Sequence, residues 1–184
     1  MDLDSSPLAL PFPDMPAISG VRLRAAHARY KDWDRADLTF AEFAPGTSLA
    51  GVFTKSACAS SEVELGRTQV KAGAARALIV NAGNSNAFTG YRGREAVEAI
   101  QSQVAEALGC TPSQVLVSST GVIGVPLPKE KARAGIEAAL EAKECGWEDA
   151  AQAISTTDTF PKGAHASAML GESRVDLCGI VKGS

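Results

Sequence analysis

The sequence is poor in the groups that usually announce chemistry. Only two histidines occur, His27 and His165, and the four cysteines, Cys58, Cys110, Cys145 and Cys178, lie far apart. There is no C-x-x-C pair, and no two of these residues have zinc-ligand spacing, which argues against a metal site. The start, "MDLDSSPLALPFPDMPAISG", is acidic and broken by prolines. It lacks the basic, apolar pattern of a signal peptide, so the cysteines are expected as free thiols in a reducing compartment, the cytoplasm. Neither charge dominates: a net charge of −3 gives no electrostatic reason to bind nucleic acid or an acidic membrane. No apolar run reaches the length of a membrane span. Neither G-x-G-x-x-G, G-x-x-x-x-G-K-[ST] nor G-x-S-x-G occurs, so the dinucleotide, P-loop and serine-hydrolase signatures are missing.

What remains is an ordinary globular composition, 45% apolar and 21% charged over 184 residues, enough for one domain with a sizeable core. Residues 1–17 read as an extended arm and 18–184 as the globular part. "RLRAAHARY" and "ADLTFAEFAPGTSLAGVFT" read as strands with a turn at Pro45-Gly46. "RALIVN" and "SQVLVSSTG" read as buried strands. Val97, Ile100, Val104 and Leu108 share one face of "GREAVEAIQSQVAEALGC", a helix that Gly109 can end. "LPKEKARAGIEAALEAKECG" is a second helix with Ile136 and Leu140 inward and Pro128 in its first turn. "WEDAAQAIST" is a short third. "HASAML" and "SRVDLCGIVK" alternate with period two around Gly171-Glu172, a hairpin pattern. Strands alternating with helices, then strands alone, give an α/β or α+β class.

Three loops can carry function. "VNAGNSNAFTG" is rich in Asn and Gly, and the bland reading, a turn satisfied by its own side chains, is preferred for most of it. "SSTGVIGVPLP" brings Thr120 and Gly121 to a turn, where a hydroxyl, backbone N–H groups and an open approach suit an oxyanion hole. A Ser119 nucleophile is the weaker alternative, and composition alone favours a plain strand end. "ISTTDTFPK" sets Thr156, Thr157, Asp158 and Thr159 in a row, which can line a polar pocket or simply form a loop. Lys182 can hold a carboxylate if it faces that pocket; a solvated side chain is the ordinary alternative. Donors are present, but no nucleophile stands out. The last strand ends on Lys-Gly-Ser, which reads as a fold left unfinished.

"GVFTKSACAS", "ALIVNAGNSNAFTG", "VLVSSTGVIGVPLP", "AISTTDTFPK" and "GIVKGS", in this order, resemble the N-terminal part of the ornithine acetyltransferase (glutamate N-acetyltransferase) family of arginine biosynthesis. The resemblance implies a precursor that cuts itself at an Ala-Thr bond, with this chain as the α chain of an αβ hetero-oligomer, a single domain left incomplete without its partner. It implies the family's α/β fold of packed sheets and helices, similar in layout to the DmpA N-terminal-nucleophile aminopeptidases and completed by the β chain. It implies acetyl transfer from N-acetylornithine to glutamate, with ornithine released, through an acyl-enzyme on the Thr that opens the β chain and whose α-amine can serve as base. Carried over position by position, Thr120 and Gly121 match the oxyanion-hole pair, and Thr156 and Lys182 match substrate-binding residues. No cofactor is implied, although some members accept acetyl-CoA as a co-substrate. The alternatives are an N-terminal-nucleophile aminopeptidase or amidase, and a non-catalytic amino-acid-binding protein.

Overall fold

The computed structural model describes residues 6–183; the first five residues of the expected arm, and Ser184, lie outside this range. The chain is an α/β fold. A four-stranded sheet is built from β1 (Val21–Ala26), β2 (Leu38–Phe43), β3 (Ala77–Asn84) and β4 (Val115–Val122), side by side in chain order. The first two pairings are antiparallel; β3 and β4 are parallel. A parallel pair needs a crossover, and α2 (Gly90–Leu108) supplies it. Gly109, at φ 61°, caps this helix in the left-handed region as expected.

Both faces of the sheet are covered. On one, Phe40, Ile79, Val115 and Leu38 meet Val97, Ile100 and Val104 of α2 and Ile136 of α3 (Lys129–Glu141) in the main core. On the other, Leu23 and Ala41 pack on Ala150 of α4 (Trp147–Ala153), with Trp147 and Ile180 beside them. The closing hairpin, β5 (Lys162–Leu170) and β6 (Ser173–Val181), turns at Gly171 as the alternation indicates. Its inward residue is Ile180, while Leu177 and Val181 are 58% and 61% exposed. Residues of the arm lie against this hairpin: the Trp147 indole donates to the Pro16 carbonyl at 2.9 Å, and a Cβ on Gly163 would meet Phe12 and Met15. The four cysteines are free thiols.

Four expectations need correction. The first strand stops at Ala26, because Asp37 turns the chain: its carboxylate accepts the amides of Ala28, Arg29 and Tyr30, and Arg29 takes φ 55°. No strand follows Pro45-Gly46; only an isolated bridge joins Ser48 to Ala74, and Val52 is 99% exposed. Pro128 caps its helix instead of sitting in the first turn, and the helix beginning at Trp147 ends at Ala153. An unexpected helix, α1 (Ser61–Gln69), packs beside β4 and α2.

Candidate active site

Strands β3 and β4 carry the first pair of candidate residues. In a parallel sheet, ligands sit beyond the carboxyl ends of adjacent strands. Here β3 ends at Asn84 and β4 at Val122, so Thr120 and Gly121, expected in a turn, are the last part of strand β4, because the ladder with β3 continues through them. Gly83 pairs with Gly121 and Ala82 with Thr120, and the register shifts at Asn84. Gly121 has φ 131°, and a Cβ there would lie 2.4 Å from the Gly83 carbonyl carbon and 2.7 Å from the Asn84 nitrogen. Only glycine lets the two backbones come this close.

The asparagines of the first loop are spent on structure, in line with the bland reading. Asn81 Nδ2 donates to the Asn84 carbonyl at 3.0 Å, and Asn84 Nδ2 donates to the Val125 carbonyl. Asn86 Nδ2 donates to the Gly93 carbonyl at 3.0 Å. Ser119 is also engaged: its hydroxyl donates to Asn81 Oδ1 at 2.6 Å. The Thr120 hydroxyl differs, because no partner among the described residues takes it. Thr120 is half-buried and Gly121 exposed. Past them, Ile123 and Val125 stand 63% and 54% exposed, an apolar lip on the polar strand end.

The second pair is drawn together by a residue that sequence reading placed only within a polar row. Asp158 has a side chain 1% exposed. Its Oδ2 accepts the Thr156 amide at 3.1 Å and lies 3.4 Å from Lys182 Nζ. Its Oδ1 accepts Lys162 Nζ at 3.2 Å and the Gly183 amide at 2.7 Å. Burial pushes this carboxyl up, but the Thr156 and Gly183 amides, Lys162 and Lys182 more than reverse it and hold it at about 2. Thr156 and Lys182 are thus neighbours through one carboxylate. Neither shares a hydrogen bond or ion pair with Thr120 or Gly121.

The loop from His27 to Asp37 reaches both pairs. The Asp37 carbonyl accepts the Ala82 amide at 2.8 Å, one residue from Gly83. Arg35 Nη2 donates to the Ser155 carbonyl at 2.6 Å, one residue from Thr156. The Lys31 side chain packs over Gly83, where a Cβ would meet its Cγ at 2.7 Å. Glu62, in the first turn of α1, is a further buried acid that sequence reading missed. It is 5% exposed, and neither carboxylate oxygen has a hydrogen-bond partner of good geometry. Burial raises its pKa more than the nearby Ser119, Ser60 and Asn86 lower it.

The structure thus shows two separate groups: potential donors at a glycine-bearing strand end, and two lysines and two backbone amides gathered on the Asp158 carboxylate. Residues 22–184 match the ArgJ family. The chain belongs to the ArgJ family. It is 53% identical over 180 residues to the arginine biosynthesis bifunctional protein ArgJ of Zymomonas mobilis subsp. mobilis, covering 97% of this chain and 44% of that protein. The ArgJ protein of Gluconobacter oxydans is 48% identical over 183 residues, covering 99% of this chain and 43% of that protein. The chain therefore spans less than half the length of these ArgJ relatives. Two crystal structures share its fold. ArgJ of Bacillus halodurans superposes with a TM-score of 0.83 at 29% identity, over 90% of this chain and 87% of the matched one. Ornithine acetyltransferase of Mycobacterium tuberculosis, complexed with ornithine, superposes with a TM-score of 0.78 at 30% identity, over 90% and 89%. The matched crystal chains are thus close to this one in length, although the full-length ArgJ proteins are more than twice as long. No helix among the described residues is long and apolar enough to cross a membrane.

Proposed function

We propose that this chain is the α subunit of a bifunctional glutamate N-acetyltransferase and ornithine acetyltransferase of arginine biosynthesis, working in the cytoplasm. It forms a single domain that its β chain completes. The observation that carries the reading is the match over 90% of the chain to an ornithine acetyltransferase that holds ornithine. The lengths support the two-chain form: ArgJ proteins of double length correspond to crystal chains of this length.

In this reading the nucleophile is the Thr that opens the β chain. It attacks the acetyl carbonyl of N-acetylornithine, and its own α-amine takes the proton. The carbonyl oxygen becomes an oxyanion beside Thr120 and Gly121. The Thr120 hydroxyl, without a partner among the described residues, is a donor free to meet it, and Gly121 leaves the backbone open to close approach. Ornithine leaves with a proton, and the glutamate α-amine then attacks the acyl-enzyme at the same strand end. Both amino acids carry an α-carboxylate, and Thr156 with Lys182 forms their shared anchor. The chemistry needs no bound cofactor; acetyl-CoA serves at most as a second acetyl donor.

The test is to produce the complete enzyme, follow acetyl transfer from N-acetylornithine to glutamate, and sequence the N-terminus of any chain that co-purifies. Transfer with a second chain beginning at Thr is expected. Hydrolysis of peptides or amides without transfer to glutamate would move the protein to the aminopeptidase class.

A further inference from the structure

Four donors converge on Asp158, and two of them are ammonium groups. One carboxylate faces Lys162 and Lys182, with the Arg35 guanidinium close by. These cations are not equally free. Arg35 is engaged by the carbonyls of Ala36, Gln152 and Ser155 and by the Trp33 ring. Lys162 is engaged by Asp158, by the Phe160 carbonyl and by the Phe160 ring, 4.3 Å from its centroid. Among the described residues Lys182 pairs only with Asp158, at 3.4 Å, and its side chain is 26% exposed. An ammonium has three protons to donate, so Lys182 keeps donors to spare. Asp158 is more fully engaged: Oδ1 accepts Lys162 and the Gly183 amide, and Oδ2 accepts the Thr156 amide beside its ion pair with Lys182.

We propose that Asp158 is a positioning residue for substrate: it fixes the Lys182 ammonium, the Lys182–Gly183 backbone and the Thr156 amide as one preorganised anchor for the amino-acid α-carboxylate. The inference rests on the acetyl-transfer reading above. A lysine held this way loses its rotamer freedom on folding, not on binding, so the incoming carboxylate does not bear that cost. The charge count adds orientation. One carboxylate against two ammonium groups leaves a surplus positive charge. A molecule with a carboxylate at one end and an amine at the other, such as ornithine, is drawn in carboxylate first and repelled amine first.

The test is a double-mutant cycle in the complete enzyme with Asp158→Asn, Lys182→Met and the pair, reading KM and kcat for acetyl donor and acceptor. Asp158→Asn is expected to raise KM for both substrates tenfold or more while kcat falls less than threefold. Because Asp158 acts through Lys182, the double variant should have a KM close to that of Lys182→Met alone. If Asp158→Asn does not accumulate as folded enzyme, Asp158→Glu carries the same cycle. Multiplying KM effects, or an unchanged or lower KM in the single Asp158 variant, would overturn the proposal. Parent enzyme with no acetyl transfer would instead overturn the functional reading beneath it.

Discussion

Gly121→Ala is the substitution whose cost the structure defines best. The added methyl would sit 2.4 Å from the Gly83 carbonyl carbon and 2.7 Å from the Asn84 nitrogen. Both are backbone atoms in the neighbouring strand, so no rotamer change can relieve them; β3 and β4 must part by about 1 Å. Forcing such a shift in a packed region costs about 1–3 kcal/mol. Holding alanine at φ 131° adds about 1–3 kcal/mol. The expected loss is about 4 kcal/mol, a large part of the roughly 5–15 kcal/mol a domain has. At roughly 2–4 °C per kcal/mol, Tm should fall by about 8–16 °C. The strand end would also be displaced by about the distance that costs a hundredfold in rate. Gly171→Ala is the control: φ is 63° there, but nothing lies within 4 Å of the new methyl, so only the conformational cost of about 1 kcal/mol remains. The assay is thermal unfolding of both variants of the complete enzyme, with kcat for acetyl transfer. A Gly121→Ala enzyme as stable as the Gly171→Ala control, with parental kcat, would refute the close-approach argument.

Thr120→Ala removes a hydroxyl that no partner among the described residues takes, and kcat should fall by about 10²–10³ with KM nearly unchanged; steady-state kinetics with N-acetylornithine decides whether the hydroxyl is the donor. Glu62→Gln should stabilise the protein at neutral pH, since it removes a charge that burial disfavours while keeping the side chain's size. The pKa of Glu62 is raised by folding, so its cost is absent below the unfolded value and grows as pH rises; denaturant titrations at pH 4 and pH 7 should show the gain only at the higher pH. Asp158 has the opposite sign. Its pKa falls from 3.8 to about 2 on folding, so it contributes about 2–2.5 kcal/mol above pH 3.8 and loses it as pH drops towards 2. Acid unfolding of Asp158→Asn should be correspondingly less steep between pH 4 and pH 2.

The elements visible in the sequence are those whose local pattern matches their burial. Val97, Ile100 and Val104 repeat at helical spacing and are all buried. The hairpin alternates about a glycine that takes φ 63°. Helix α1 was invisible for a physical reason: its buried residues are Glu62, Gly66 and Gln69, not an apolar stripe. Gln69 earns its place by donating to the carbonyls of Pro112, Ser113 and Val115, and Gly66 by admitting the Phe53 ring. No periodicity of hydrophobic residues reports such contacts. The opposite failure followed Pro45-Gly46, where the segment read as a strand makes only an isolated bridge, Ser48 to Ala74, and leaves Val52 99% exposed. The strand that carries Thr120 and Gly121 could be read from its apolar start at Val115 and Val117, but its length could not: the ladder with β3 runs on to Val122, past the expected turn. The bond from the Thr156 amide to Asp158 is local and belongs to a known turn chemistry. The contact with Lys182 depends on β6 returning beside the α4 loop, and nothing near position 158 in the sequence encodes that.

The two halves of the candidate site are mechanically related through a segment with no catalytic signature. Asp37 is 1% exposed and acts as a staple: its side chain gathers the amides of Ala28, Arg29 and Tyr30, and its carbonyl receives Ala82. Two residues earlier, Arg35 holds the carbonyls of Gln152 and Ser155. One short loop thus sets where the end of β3 lies, against which Gly121 closes, and where the chain enters Thr156. Acyl transfer between two amino acids needs the oxyanion donors and the carboxylate anchor at a fixed separation, because small errors in placing the reacting carbonyl are costly. Neither half needs to touch the other if both are hung from the same loop. In the acetyl-transfer reading proposed above, fixing both halves by hydrogen bonds to a buried aspartate and from a stacked arginine is what would leave Thr120 and Lys182 with donors for the substrate.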